Sequence, residues 1–223
     1  VLLALGRPPA LVGLVLGFLV GVFVVGVVQT RMARVRGPRA SLGHFVDPFG
    51  AIAAALGGVG WGVPPEVGRW RRGPARRRAI RLLLAAPITH LALAAVGFAA
   101  LTALGDRVYA AVDPRIVLYG VPSGSGLSFL ALTVLGFATV NLTMALLHVI
   151  PLPPMAAGRI LLLVAPQTPG WQKATYYLED NNWGIGILLA LSLPIFSGAG
   201  VSGALTASIA RPILQQLSGI GSG

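Results

Sequence analysis

An all-helical, multi-pass membrane protein is the fold class this sequence predicts, and three observations predict it. Several apolar runs reach the ~20 residues a helix needs to cross a bilayer. Hydrophobic residues make up 55% of the chain and charged residues only 10%, for a mean hydropathy of +0.81. The net charge of +11 is gathered in short segments beside those runs. Clusters of Arg and Lys in short loops mark the cytoplasmic side of a membrane. They do not make the continuous basic face of a nucleic-acid-binding domain, so membrane lipid is an expected partner and nucleic acid is not.

The elements follow in order. Residues 11–28 read as the first span, bounded by Pro8 and Pro9 on one side and by Arg31, Arg34, Arg36 and Arg39 on the other. Gly13, Gly17 and Gly21 recur every four residues and share one helix face, which allows close backbone approach. Two uses fit that face: packing against another span of the same chain, or a homo-oligomer seam. The chain starts at Val1 without a basic leader or a small-residue cleavage site, so the first apolar stretch reads as a retained span.

Residues 44–65 are apolar but short and rich in glycine, with four arginines before them (31–39) and seven after (69–81). With both basic groups on one side, as loops 31–40 and 66–81, this segment must enter and leave by the same face. A re-entrant hairpin does so, and stretches of 10–14 apolar residues suit one. The arginines of 69–81 are expected to touch anionic headgroups or an acidic partner.

Residues 80–104 read as the second full span. Pro87 should kink it and free a backbone carbonyl. His90 sits within it, where an ionisable side chain is costly and marks a candidate functional position. The blander reading is a neutral imidazole bonded to that carbonyl or to a neighbouring hydroxyl. Residues 105–126 balance two aspartates against two arginines, which suits the outer face. Residues 127–150 form the third span, with His148 near its end, where an imidazole complements a helix C-terminus. A polar connection (166–182) carrying aromatics leads to a fourth span at 183–210, interrupted by Pro194.

Between the third span and that connection runs His148–Val149–Ile150–Pro151–Leu152–Pro153–Pro154–Met155–Ala156–Ala157–Gly158–Arg159. Three prolines within four residues, Pro151, Pro153 and Pro154, cannot continue a helix. Non-helical backbone at membrane depth is tolerated where it is buried in protein or lines a wet cavity. The stretch resembles the Asn–Leu–Leu–Pro–x–Pro–Pro–Leu–Asp–Gly–Gly–Arg signature of the site-2 protease family of intramembrane zinc metalloproteases, matching it at Pro151, Pro153, Pro154, Gly158 and Arg159. Asp47–Pro48–Phe49–Gly50 and Gly60–Trp61–Gly62–Val63–Pro64 resemble that family's segments beside the active site. Ala85–Ala86–Pro87–Ile88–Thr89–His90 resembles another, with His90 in place of an asparagine. The resemblance covers about residues 12–165. It implies a site-2 protease-like core of about four transmembrane helices plus a re-entrant hairpin, in a bacterial plasma membrane.

The same resemblance places the zinc ligands at Val25, Gln29 and Ala156 and the general base at Gly26, and none of those side chains can do the work. A hydrolytic zinc site needs three protein ligands and a group to take the proton from water. The chain has six carboxylates, three histidines and no cysteine, and residues 1–43 contain no histidine or carboxylate. The expected protein is therefore a catalytically inactive relative with no catalytic residue, no metal and no cofactor. It binds or regulates a transmembrane partner, or serves a larger complex, through the former substrate cleft at Trp61, His90, His148, Pro151, Pro153, Pro154 and Arg159. Two alternatives stand beside it: a metalloprotease with zinc rearranged onto His44, His90 and His148, and a small transporter or channel subunit.

Overall fold

The structure is a computed structural model that describes residues 8–33, 41–67, 73–104, 128–193 and 208. Expectations for the balanced loop at 105–126, for the arginines at 34–39 and 69–72, and for residues 194–207 and 209–210 of the fourth span lie outside the described residues. Every regular element among the described residues is helical, apart from one isolated antiparallel bridge between Val46 and Gly62.

Three helices are long and apolar enough to cross a membrane: α1 (Pro8–Ala33), α4 (Gly73–Ala103) and α5 (Phe129–Leu147). They pack on one another, and α5 lies against both α1 and α4. The glycine stripe makes this possible. A Cβ on Gly13 would lie 2.1 Å from the backbone oxygen of Thr133, and one on Gly17 would lie 3.0 Å from the Phe137 backbone. Only hydrogen side chains let α1 and α5 approach this closely. The stripe thus faces other helices of the same chain, the first of the two uses the sequence offers for Gly13, Gly17 and Gly21.

α1 runs five residues beyond the expected end of the first span, because Gln29, Thr30, Arg31 and Met32 are all helix-compatible. α4 begins at Gly73, so part of the basic segment expected as a loop is helical. Arginine and alanine favour helix, and Pro74 falls in the first turn, where its missing N–H costs nothing. α5 stops three residues short of the expected boundary, where the proline turn removes the donors a further helical turn would need.

The hairpin segment consists of α2 (Leu42–Phe45), α3 (Pro48–Gly57) and a returning strand-like stretch. Asp47 caps α3 by accepting from the Gly50 amide at 2.8 Å, with Pro48 in the first position. Gly58, at φ 78°, closes it in a left-handed conformation that favours glycine. The chain then doubles back: the Val63 amide donates to the Phe45 carbonyl at 2.8 Å. A Cβ on Gly50 would sit 2.0 Å from the Trp61 oxygen, and one on Gly60 equally close to the Gly50 oxygen. The two glycines let outgoing and returning backbones touch, and this buries the Trp61 ring at 1% exposure.

After the proline turn come α6 (Ala156–Val164), α7 (Pro169–Thr175), a π-helical turn at Tyr176–Asp180, and α8 (Trp183–Ser192). Gly184 of α8 packs on the Pro153 carbonyl and Gly57 of α3 on that of Ser192. The main core therefore joins α1, the hairpin segment, α5, the proline turn and α8: Phe18 and Val22 from α1, Ala53 from α3, Trp61, Val140 and Met144 from α5, Met155, and Leu188 from α8. The buried residues of α4 pack in separate clusters, Ala79, Leu82 and Leu83 against α6 and Leu101 against α5.

Candidate functional site

One small cavity lies where α1, α4, the returning hairpin strand and the proline turn meet. Its lining includes Val25, Gly26 and Gln29 of α1, Ala86 and His90 of α4, Phe45, residues 61–65, His148, Pro154 and Ala156. Its volume is about 30 Å³, enough for a water molecule.

His90 is buried at 1% exposure. The sequence predicts a backbone carbonyl or hydroxyl as its partner; the structure gives it the side chain of Asn141 instead, with Nδ1 at 2.9 Å from Oδ1. The Asn141 amide nitrogen donates to the carbonyls of Gly17 at 3.2 Å and Phe137 at 2.9 Å. Its oxygen therefore faces His90, so His90 Nδ1 carries the proton and Nε2 keeps its lone pair. Asn141 thus ties all three long helices together. Sequence reasoning gave it no role, although an amide in the middle of an apolar span is itself a signal that a partner waits there.

His148 differs from expectation too. Its Nδ1 accepts from the Ala156 amide at 3.3 Å, and its carbonyl accepts from Ala157 at 3.0 Å. The imidazole therefore serves the N-terminus of α6, one of whose amides would otherwise be unpaired, rather than the C-terminus of α5. With Nδ1 as acceptor, the proton of the neutral ring sits on Nε2. The rings of His90 and His148 are stacked at 5.9 Å between centroids. Trp61 Nε1 is buried without a hydrogen-bond partner.

Gln29 donates to the Leu82 carbonyl at 3.1 Å, in the part of α4 that precedes Pro87. Gly26 packs against the face of Phe45: a Cβ there would lie 2.3 Å from the ring. Any side chain at position 26 would have to displace that ring. Arg159 is buried and bonds Glu179 through Nε and Nη2, both at 2.9 Å, and the Pro65 carbonyl at 2.5 Å through Nη1. It clasps the hairpin return to the π-helical turn. Pro153 is buried beside α8, while Pro151 is exposed at the edge of the turn.

His44 does not join the other two histidines. It is exposed on α2 and shares a 2.5 Å hydrogen bond with Ser41. Among the described residues no group of three histidine, cysteine or acidic side chains is placed to hold a metal ion. The cavity offers two imidazoles, one with Nδ1 engaged by a backbone amide and the other by Asn141. That donor set does not fit zinc, which takes three protein ligands in a hydrolytic site.

Fold and cavity together define a helical membrane protein whose long helices converge on a small, mostly apolar cavity with two stacked imidazoles. The chain is 30% identical, over 148 residues, to the Bacillus subtilis (strain 168) protein named "Putative zinc metalloprotease YwhC". The aligned part covers 65% of this chain and 60% of that protein. This similarity supports the resemblance to the site-2 protease family read from the proline turn. No family model matches the chain. No solved structure matches it either.

Proposed function

We propose that this protein is a catalytically inactive relative of the intramembrane zinc metalloproteases that acts as a binding, regulatory or accessory subunit for a transmembrane partner. One observation carries the reading. Val25, Gly26, Gln29 and Ala156, the positions where the resemblance puts three ligands and a base, line a single cavity that contains no carboxylate. In this reading the cleft of the family is retained while its chemistry is replaced by an isopropyl, a hydrogen, an amide and a methyl group. Phe45 against Gly26 closes the place a base would occupy. The cleft beside it, at the exposed Val63 and Pro151 over the buried Trp61, His90, Pro153 and Pro154 and the half-buried His148, is the contact surface for the partner. In this reading the membrane is the bacterial plasma membrane and the arginine-rich ends face the cytoplasm.

Two measurements on protein purified without chelators test this. Metal analysis is expected to find no stoichiometric zinc. A photo-crosslinker at Val63, which lines the cavity mouth and is exposed, is expected to capture one defined membrane protein that a crosslinker at the exposed Val96 of α4 does not. Zinc bound one per chain and lost on His90→Ala or His148→Ala would instead establish a metalloenzyme.

A further inference from the structure

A second pocket lies away from the cavity, where α1 ends and the basic part of α4 begins. It is lined by Arg31, Met32, Arg78, Arg81 and Leu82, and its volume is about 410 Å³. Pockets of roughly 300–1,000 Å³ are the size that holds small ligands. Arg78 is fixed in place: its Nη2 donates to the Ala33 carbonyl at 2.5 Å, among the last carbonyls of α1. Gln29, bonded to the Leu82 carbonyl, pins the same two helices just beneath. Arg31 and Arg81 are exposed, and neither has a carboxylate partner among the described residues.

Two exposed guanidinium groups, Arg31 and Arg81, line one pocket beside the anchored Arg78, and an anion between them relieves their mutual repulsion. Guanidinium forks match phosphate oxygens two at a time. Position selects the source of the phosphate. The pocket sits at the ends of two helices of membrane-spanning length, and the exposed Met32 and buried Leu82 give it an apolar wall. Basic pockets between transmembrane helices at the membrane surface suit lipid headgroups, whose acyl chains hold the phosphate at that depth. We propose that the pocket formed by Arg31, Arg78 and Arg81 binds the phosphate of one anionic phospholipid. The proposal rests on the membrane placement of α1 and α4 and not on whether the central cavity is catalytic.

The test uses the full chain in nanodiscs of phosphatidylcholine doped with phosphatidylglycerol, with lipid retained per protein read by native mass spectrometry after mild extraction. The wild-type protein should keep one phosphatidylglycerol. The Arg31→Gln/Arg81→Gln pair should lower its apparent affinity about tenfold or more. The Arg76→Gln/Arg77→Gln pair, equal in charge and exposed on the same helix, should leave it nearly unchanged. Millimolar inorganic phosphate should not displace the lipid. Equal loss from both pairs would reduce the effect to diffuse charge, and displacement by inorganic phosphate would make it a free-anion site; either result overturns the proposal. Unchanged thermal unfolding of the variants in phosphatidylcholine alone shows that lost binding is not lost folding.

Discussion

His90 on α4 donates from Nδ1 to the amide oxygen of Asn141 on α5 across 2.9 Å, and the same Asn141 donates to Gly17 of α1. Both side chains are fully buried. A bond lost there leaves a buried polar group unpaired, and the cost is that group's desolvation. Asn141→Ala should destabilise the protein by about 1–2 kcal/mol, as read by thermal unfolding in detergent. His90→Ala should cost a similar amount, and the double variant less than the sum, because each change breaks the same bond. Full additivity would mean that the pair contributes nothing as a pair.

Glycine substitutions should divide by helix face. At Gly13 a methyl group would sit 2.1 Å from the Thr133 oxygen, and relief requires α1 and α5 to separate. Gly13→Ala should therefore cost about 1–3 kcal/mol. Gly186 of α8 has nothing within 4 Å of its would-be Cβ. Gly186→Ala should be neutral or slightly stabilising, because alanine favours helix. Equal effects at the two positions, measured by unfolding yield, would show that the α1–α5 contact does not form as described.

How far the sequence reads follows from which forces act locally. Hydropathy and length reveal the three long helices, because polar backbone groups placed in lipid must bond within their own segment, which leaves few alternatives to a helix. The segment Asp47–Pro48–Phe49–Gly50 is legible as a motif, while its local role, Asp47 capping α3 with Pro48 in the first position, comes from the structure. The partners of His90 and His148 are not legible. Asn141 is 51 residues from His90, and the Ala156 amide reaches His148 only because the proline turn folds back. The Phe45 ring over Gly26 is hidden for the same reason, since a glycine in an apolar helix does not announce what packs on it. Glu179 counts in the sequence only as one of six carboxylates; its pairing with Arg159 depends on the path of the whole connection.

The Arg159–Glu179 clasp gives a third test. Arg159 is buried, while Glu179 is partly exposed. Glu179→Gln keeps the shape but leaves a buried cation with a weaker acceptor. The partial exposure discounts the loss to ~1–2 kcal/mol. Because Arg159 also holds the Pro65 carbonyl, hydrogen exchange should rise in residues 61–67 and in the π-helical turn together. A rise in the turn alone would mean that the hairpin return is held by its other contacts.

The last prediction puts the missing chemistry back. Val25 and Gln29 are one helical turn apart on α1, and both line the cavity across from Ala156 on α6. Two histidines spaced i, i+4 on one helix face, joined by a carboxylate from another element, form a zinc set of the usual kind. The V25H/Q29H/A156D variant should therefore bind one zinc per chain, measured by metal analysis after dialysis, where the wild-type protein binds none. Zinc should also raise its unfolding temperature, because metal binding is coupled to folding and a buried aspartate without the ion is costly. It should remain inactive as a protease, because Gly26 supplies no base and Phe45 occupies the space beside it. Should A156D alone block folding, V25H/Q29H offers two imidazoles beside His148 and should still bind zinc more weakly. A folded variant that takes up no zinc would mean that these positions do not converge on a single point, and the inactive-protease reading would fall with them.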